Sequence, residues 1–415
     1  MLPKKPTQGK RVMVRVLIGG VVALAVAMGV GRFAFTPILP AMQAATGLGA
    51  DGAGLLASLN YLGYFVGALG AGLVPHGAVR TAVFRAALVA SVASTAGMGV
   101  TDSMAAWGVL RFVSGLASAG MFILGVAMVL DALARARREA WNGWLYTGVG
   151  LGIAASGLFV ALLGGRLGWR GDWLWLGLIC AGGGVLSWLW VTDPPPAAPS
   201  PAPNGATATP AAGKPPGRAS LRSAPLLLLT SAYFLEGAGY IVTGTFLVAI
   251  LKTMPETARL GEAAWMVTGL AAIPSGLIWA AAGRRLGLWR ALILAHLVQV
   301  AAILLPMTGQ PAAAVVAAAL FGGTFIGIVT LSFTLARQLS GGASARVIGA
   351  LTAVYGLGQI IGPLPAGMIV ARTGGFDSAL LAAAAAVLAA ALLLLAASRA
   401  ARRPAPEVAV GAGPA

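Results

Sequence analysis

Residues Gly29 to Gln43 read GVGRFAFTPILPAMQ, and they set an arginine inside an apolar run that no other charge interrupts. From Val16 to Val30 nothing is charged, so Arg32 stands about 24 Å along a helix that starts near Val16. A charge that deep in a bilayer must snorkel to a surface, face a water-filled cavity, or pair with an acid on another helix. Its neighbours one or two turns away on the same face, Gly29, Thr36 and Ala25, are small or polar, which suits a face turned toward protein and water. Pro37 and Pro40 weaken the helix beyond it. Gly29, Gly31 and Ala34 also have the GxGxxA spacing of a dinucleotide loop, but the run before them is far longer than the strand such a loop needs.

Composition points the same way. Of 415 residues 58% are apolar and 9% charged, and 59 are glycine, which is outside the range of soluble globular proteins and inside that of membrane proteins. The net charge of +17 does not indicate nucleic acid, because the basic residues sit in short loops and no DNA- or RNA-binding motif accompanies them. The lone cysteine, Cys180, excludes an internal disulfide, and His76 and His296 lie too far apart in sequence for a zinc motif. The acids are too scattered for a paired-carboxylate hydrolase, and no Walker A pattern is present. The reading is therefore a non-enzyme with no cofactor. Lys4, Lys5, Lys10, Arg11 and Arg15 before an apolar run resemble a signal peptide, but the apolar core continues past its length, so the segment is read as a retained first helix.

Apolar runs of spanning length fall near 14–40, 53–75, 82–101, 105–132, 141–164 and 172–191, then near 225–251, 263–282, 290–306, 311–335, 346–371 and 377–398. The expected fold is an all-α integral membrane protein of 12 transmembrane helices in two six-helix repeats. Residues 14–191 form one bundle and 225–398 the other, with tails at 1–13 and 399–415. A Pro-, Ala- and Thr-rich linker spans 192–224. Of the 28 lysines and arginines, 21 lie in the tails and even-numbered connections and 5 in the odd ones. By the positive-inside rule both termini and the linker are cytoplasmic.

The halves repeat. Gly72 ends the second helix and opens GLVPHGAVR, while Gly276 ends the eighth and opens GLIWAAAGRR. Gly150-Leu151-Gly152 in the fifth matches Gly356-Leu357-Gly358 in the eleventh. On the same offset Arg32 of the first helix corresponds to Glu236 of the seventh. Parallel six-helix repeats are a transporter architecture whose binding site lies between the repeats.

Three stretches, GVGRFAFTPILPAMQ, NYLGYFVGALGAG from Asn60 and YFLEGAGYIVTGTFLVAI from Tyr233, together with Arg111 and Gly115 four apart in the fourth helix, resemble the major facilitator superfamily, in particular its YbfB/YjiJ branch. The resemblance runs from residue 14 to 398 and implies secondary transport by alternating access. The superfamily's loop pattern survives as Gly72 and Arg80 in the first half and as Gly276, Gly283, Arg284 and Arg285 in the second. His76 and Ala280 replace its acids, which puts the usual acid-centred latch in doubt. The element Gly358, Gly362, Pro363 sits in the eleventh helix, whereas the drug/proton antiporters carry it in the fifth.

Tyr233, Glu236, Tyr240 and Thr243 recur at three- and four-residue spacing, a polar stripe on the seventh helix. Tyr233, Glu236 and Tyr240 of this stripe, with Arg32, Arg111, Tyr64 and Gln359, are the candidate substrate-binding and proton-coupling residues. Arg111 has two readings, snorkelling or facing the cavity. Asn60, Tyr61, Tyr146, His296, Gln299 and Tyr355 are further polar candidates, each more simply explained by packing. The expected function is secondary active transport of a small solute across the bacterial inner membrane, as a proton-coupled organic anion carrier. Its partners are the small-molecule substrate, protons and the lipid bilayer, with no nucleic acid. The rivals are a drug/proton efflux antiporter and a membrane sensor on the same fold that transports nothing.

Overall fold

The computed structural model describes residues 6–138, 141–193, 223–340 and 344–402. The expected linker, apart from its ends, and the outer parts of both tails lie outside the described residues.

Helices account for nearly all of the described residues. The first crossing is broken into α1 (Pro6–Leu24), a π-helical turn (Ala25–Val30), a turn over 31–34 and α2 (Phe35–Thr46). Then come α3 (Ala50–Ala71), α4 (Ala78–Gly97), α5 (Met104–Arg135), the short α6 (Asn142–Leu145) and α7 (Thr147–Trp190). The second set is α8 (Ala224–Lys252), α9 (Gly261–Leu286), α10 (Leu288–Leu304), α11 (Pro311–Ser340), α12 (Ser344–Ile361) with α13 (Pro363–Thr373), and α14 (Asp377–Ala400).

Among the described residues eleven continuous helical runs are long and apolar enough to cross a membrane. One of them is double. A straight helix of the 44 residues of α7 would be about 66 Å long, twice the hydrocarbon thickness, but at Gly168 its backbone leaves helical geometry at φ 64°, ψ 168°. Only glycine enters that region without strain, so the fifth and sixth crossings turn back on each other with no connecting loop. The sequence pattern places a loop at 165–171, where the structure has helix on either side of one glycine. With α7 counted twice the crossings number twelve, so α1 starts and α14 ends on the same side, called here the terminal side.

Two further breaks follow from proline. Pro37 cannot donate to the Phe33 carbonyl, and the Thr36 N–H reaches it instead in a tighter turn at 3.2 Å. Pro363 likewise leaves the carbonyl of Gln359 without its helical partner and separates α12 from α13.

Within the first set α3 packs on α5, α4 on α5 and α7, and α1 on α7; within the second, α9 packs on α11, α8 on α14 and α12, and α10 on α11 and α14. The sets meet along α7 and α9, along α3 with α12 and α13, and where α2 crosses α8. On the side opposite the termini this seam is closed: Gly54 lies against Pro363, Gly367 against Ala50, and Thr36 Oγ1 donates to the Gly244 carbonyl at 2.6 Å. Outside that seal lies a cavity of about 700 Å³ whose wall includes Gln43, Lys252 and Asp377 but not Arg32.

Candidate functional site

The break in the first crossing creates a local problem that α5, the fourth crossing, solves. Interrupting a helix frees carbonyls, and in a bilayer each must find a donor within the protein. Ser118 Oγ donates to the Ala27 carbonyl at 2.6 Å and Ser114 Oγ to that of Gly31 at 2.7 Å. Arg111 forks, its two Nη atoms each 3.3 Å from the carbonyls of Gly31 and Arg32. Its guanidinium lies over the Phe35 ring at 4.7 Å, and the residue is 1% exposed. Neither sequence reading of Arg111 describes this place: the side chain neither reaches a surface nor points into an open space, but bonds to the backbone of α1–α2. Ser114 and Ser118 were not singled out from the sequence, although they share a helical face with Arg111. The broken segment also meets α7 without intervening side chains, since a Cβ on either Gly29 or Gly152 would strike the other's backbone.

With the fork of Arg111 taken, the guanidinium of Arg32 is the cation at the seam. It is 3% exposed and lies 4.3 Å from the ring centre of Tyr64, 4.6 Å from that of Tyr61 and 5.5 Å from that of Phe33. Nη2 donates to Gln359 Oε1 at 2.6 Å, and Gln359 Nε2 in turn donates to the Tyr240 hydroxyl. Among the described residues no acid pairs with Arg32, and its Nε has no partner. Placing an arginine mid-helix costs about 2.5–3.5 kcal/mol on insertion scales. Desolvated aromatic faces at about 1–2 kcal/mol each are of the same order, so this cage holds the cation without neutralising it.

Gln359 reaches Arg32 from α12, one turn before Pro363. Tyr240 extends the wall: its ring stacks on Tyr355 at 5.6 Å and lies near Phe321 and Phe325, and Tyr355 stacks on Tyr233 at 4.3 Å. The void enclosed by Phe33, Tyr240, Trp265, Phe321 and Phe325 measures about 10 Å³. A single water needs about that much, so the aromatic faces of the two halves are in contact here and the space between them is shut.

The polar stripe of α8 divides. Tyr233 and Tyr240 turn toward α12, while Glu236, 0% exposed, faces His296 of α10, with Oε2 at 3.7 Å from Nε2. Arg32 and Glu236, equivalent in the repeat, form no ion pair; one ends at Gln359 and the other near His296. Thr243 is buried with its hydroxyl unpartnered.

At the terminal side the loop motifs behave differently in the two halves. Arg80 Nε donates to Asp193 Oδ2 at 2.6 Å and Nη2 to Asp131 Oδ2 at 2.7 Å. Asp193 Oδ2 also accepts the Gly77 N–H at 2.6 Å, and the Asp193 N–H donates to Thr81 Oγ1 at 2.9 Å. These bonds, the Arg80 guanidinium first, hold the Asp193 carboxyl below its usual range. An acid-centred clasp thus exists in the first half, with its acids drawn from the end of α5 and the exit of α7 rather than from the loop itself. Neither acid was singled out from the sequence. In the second half Gly276 and Gly283 pack against α11, and Arg284 and Arg285 end α9 exposed, without an ion pair among the described residues. Gly72 caps α3 at the surface.

Comparison with known proteins bears on this arrangement. The family model described as "Uncharacterised MFS-type transporter YbfB" matches residues 24–395. No curated protein sequence matches. Among solved structures the chain is similar to a mutant of the nucleoside transporter NupG, with a TM-score of 0.74 at 14% identity over 93% of this chain and 99% of that one. It is also similar to a bacterial homologue of the human lysosomal transporter Spinster in its inward-facing, unoccupied conformation, with a TM-score of 0.70 at 17% identity over 97% and 100%. The same homologue in its occupied inward-facing conformation gives 0.68 at 17% identity over 97% and 100%. At these identities the likeness is one of fold.

Proposed function

Since the chain belongs to the family of the MFS-type transporter YbfB, a family of multi-pass membrane transporters of small molecules and not of enzymes, we propose that it is a proton-coupled carrier of a small organic anion. The observation that carries this reading is Arg32, a permanently charged, planar donor at the seam between the halves with aromatic faces and one neutral amide around it and no acid beside it. An anion with a carboxylate matches that fork and neutralises the charge. Because the aromatic space is collapsed, substrate enters when the two six-helix bundles, 14–191 and 225–398, rock apart, as alternating access requires. The excess of basic residues in the tails and even connections supports cytoplasmic termini in a bacterial inner membrane. The terminal side is then the cytoplasmic side, and the sealed seam faces outward.

The aromatic wall of Tyr240, Phe321, Phe325 and Trp265 favours a second reading, efflux of apolar cations against protons. The two readings separate in proteoliposomes under an imposed pH gradient. On the anion reading an organic carboxylate is taken up saturably and Arg32→Ala abolishes both uptake and binding. Saturable transport of an organic cation that survives Arg32→Ala overturns it.

A further inference from the structure

We propose that Glu236 and His296 together hold a single proton, which makes this pair the proton-binding site of the carrier, set inside the second half and walled off from Arg32 by tyrosines. The inference rests on the proton-coupled reading above and adds a second residue and a stoichiometry to it.

The tautomer of His296 decides the matter. Its Nδ1 lies 2.8 Å from the carbonyl oxygen of Leu292, and a carbonyl only accepts, so Nδ1 carries a hydrogen. The neutral ring therefore turns a bare lone pair, on Nε2, toward Oε2 of Glu236 at 3.7 Å. Among the described residues neither carboxyl oxygen of Glu236 nor Nε2 of His296 has a hydrogen-bond partner, and the two residues are 0% and 1% exposed. With no proton between them a carboxylate faces a lone pair, leaving one unpaired anion inside a helix bundle. With two protons an imidazolium faces a neutral acid, leaving one unpaired cation. Either uncompensated charge costs several kcal/mol in such a setting. With one proton the pair is neutral overall, whether written as acid and imidazole or as carboxylate and imidazolium. The 3.7 Å gap exceeds hydrogen-bond range by roughly 0.5–1 Å, a movement that side-chain rotation supplies when the proton arrives.

Among the described residues no other charged group faces the pair. Besides His296, α10 presents Gln299, a neutral amide whose side chain lies close enough to Glu236 to act on its carboxyl but falls short of hydrogen-bond geometry. α12 presents Tyr355, α8 itself Tyr233 and Tyr240, and α11 adds Phe333 beside Tyr233. α14 meets this part of α8 with alanines and Val387 and has no titratable side chain between Ala379 and Ala397. Tyr233, three residues from Glu236 on α8, stacks on Tyr355. Tyr355 stacks on Tyr240, which accepts from Gln359, the partner of Arg32. A change at the pair from −1 to 0 is thereby felt where the anion binds, although proton and anion occupy separate places.

The test is a proton count on the full-length protein in detergent, and it needs no transported substrate. The chain has two histidines, so 15N-histidine labelling with His76→Asn leaves the His296 signal alone. The wild type should show the Nδ1–H tautomer and, on acidification, one proton taken up relative to Glu236→Gln. Infrared difference spectra should show a carboxyl band that Glu236→Gln removes. His296→Gln, or His296→Asn should the first fold poorly, should move that band to the position of a free acid and its pH midpoint by about one unit or more, tenfold in proton affinity. Uptake of two protons, a carboxyl band unchanged by the histidine variants, or a signal that follows sodium rather than pH overturns the proposal. Failure of anion uptake with the spectra as expected refutes the transport reading and leaves the pair standing.

Discussion

Replacing Asp193 by asparagine removes one charge from a clasp whose geometry sets the size of the loss. The side chains of Arg80 and Asp193 are 6% and 5% exposed, so their attraction is little screened, whereas Asp131 is 43% exposed and adds no more than about 1 kcal/mol. Asp193 Oδ2 accepts two bonds, from Arg80 Nε and the Gly77 N–H. Bonds to a charged group are worth about 1.5–3 kcal/mol and neutral ones about 1, and asparagine keeps one acceptor oxygen. The expected loss is about 2 kcal/mol, or roughly 30-fold in the clasped-to-open equilibrium. Asp193→Ala, which leaves Arg80 buried with only the exposed Asp131, should cost more, toward the 3–5 kcal/mol of a broken buried pair. Thermal unfolding of the detergent-solubilised protein reads the effect, with Arg284→Ala as a control expected to change nothing. The pH dependence has a fixed sign. Because the folded protein lowers the Asp193 carboxyl, its contribution is complete above the ordinary value of 3.8 and disappears as pH falls below that value through the folded one. Acidification in that window should therefore narrow the gap between wild type and Asp193→Asn. An unchanged thermal midpoint for Asp193→Asn, or a gap that widens on acidification, refutes the reasoning.

Three other substitutions test the remaining parts of the seam. Arg111→Leu strips the Arg32 carbonyl of its donor and the Gly31 carbonyl of one of two, so it should destabilise the protein by about 1–3 kcal/mol while the folded fraction still binds anion. Binding lost at full stability contradicts that assignment. Gly152→Leu drives a side chain into the backbone of Ala25 and Gly29 and should abolish the monodisperse peak in size-exclusion chromatography, whereas Gly165→Ala, which meets open space, should leave it intact. Tyr240→Phe keeps the ring stacking but removes the acceptor of Gln359, and anion affinity should fall by about fivefold, the equivalent of roughly 1 kcal/mol. Unchanged affinity would separate Gln359 from the binding site.

The crossings were legible because 20-residue apolar runs and loop charges leave few alternatives, and the depth of Arg32 was readable by counting residues from the nearest polar position. Polar partnerships were less so. Spacing on α8 puts Glu236 beside Tyr233 and Tyr240 at a common azimuth, but each side chain there meets a different neighbour, and only the packing of α10 and α12 decides which. Asp131 and Asp193 sit at the ends of helices, where an acid is unremarkable until the fold brings both to Arg80. The hairpin at Gly168 escaped because a glycine among eleven others in α7 looks like any small packing residue; its φ of 64° is a property of the backbone alone.

The broken first crossing also orders events during biosynthesis. Arg111, Ser114 and Ser118 follow the carbonyls they satisfy by 80, 83 and 91 residues, and Gln359 follows Arg32 by 327. When the first segment leaves the ribosome, none of these donors has been made. The segment must then enter the translocon as a plain helix with Arg32 uncovered, and it can adopt its π-turn only after the fourth crossing has arrived. The last polar contact of Arg32 waits for the eleventh. A nascent chain stalled between those two stages should hold a first crossing that is inserted and bent, yet still open to extraction from the membrane.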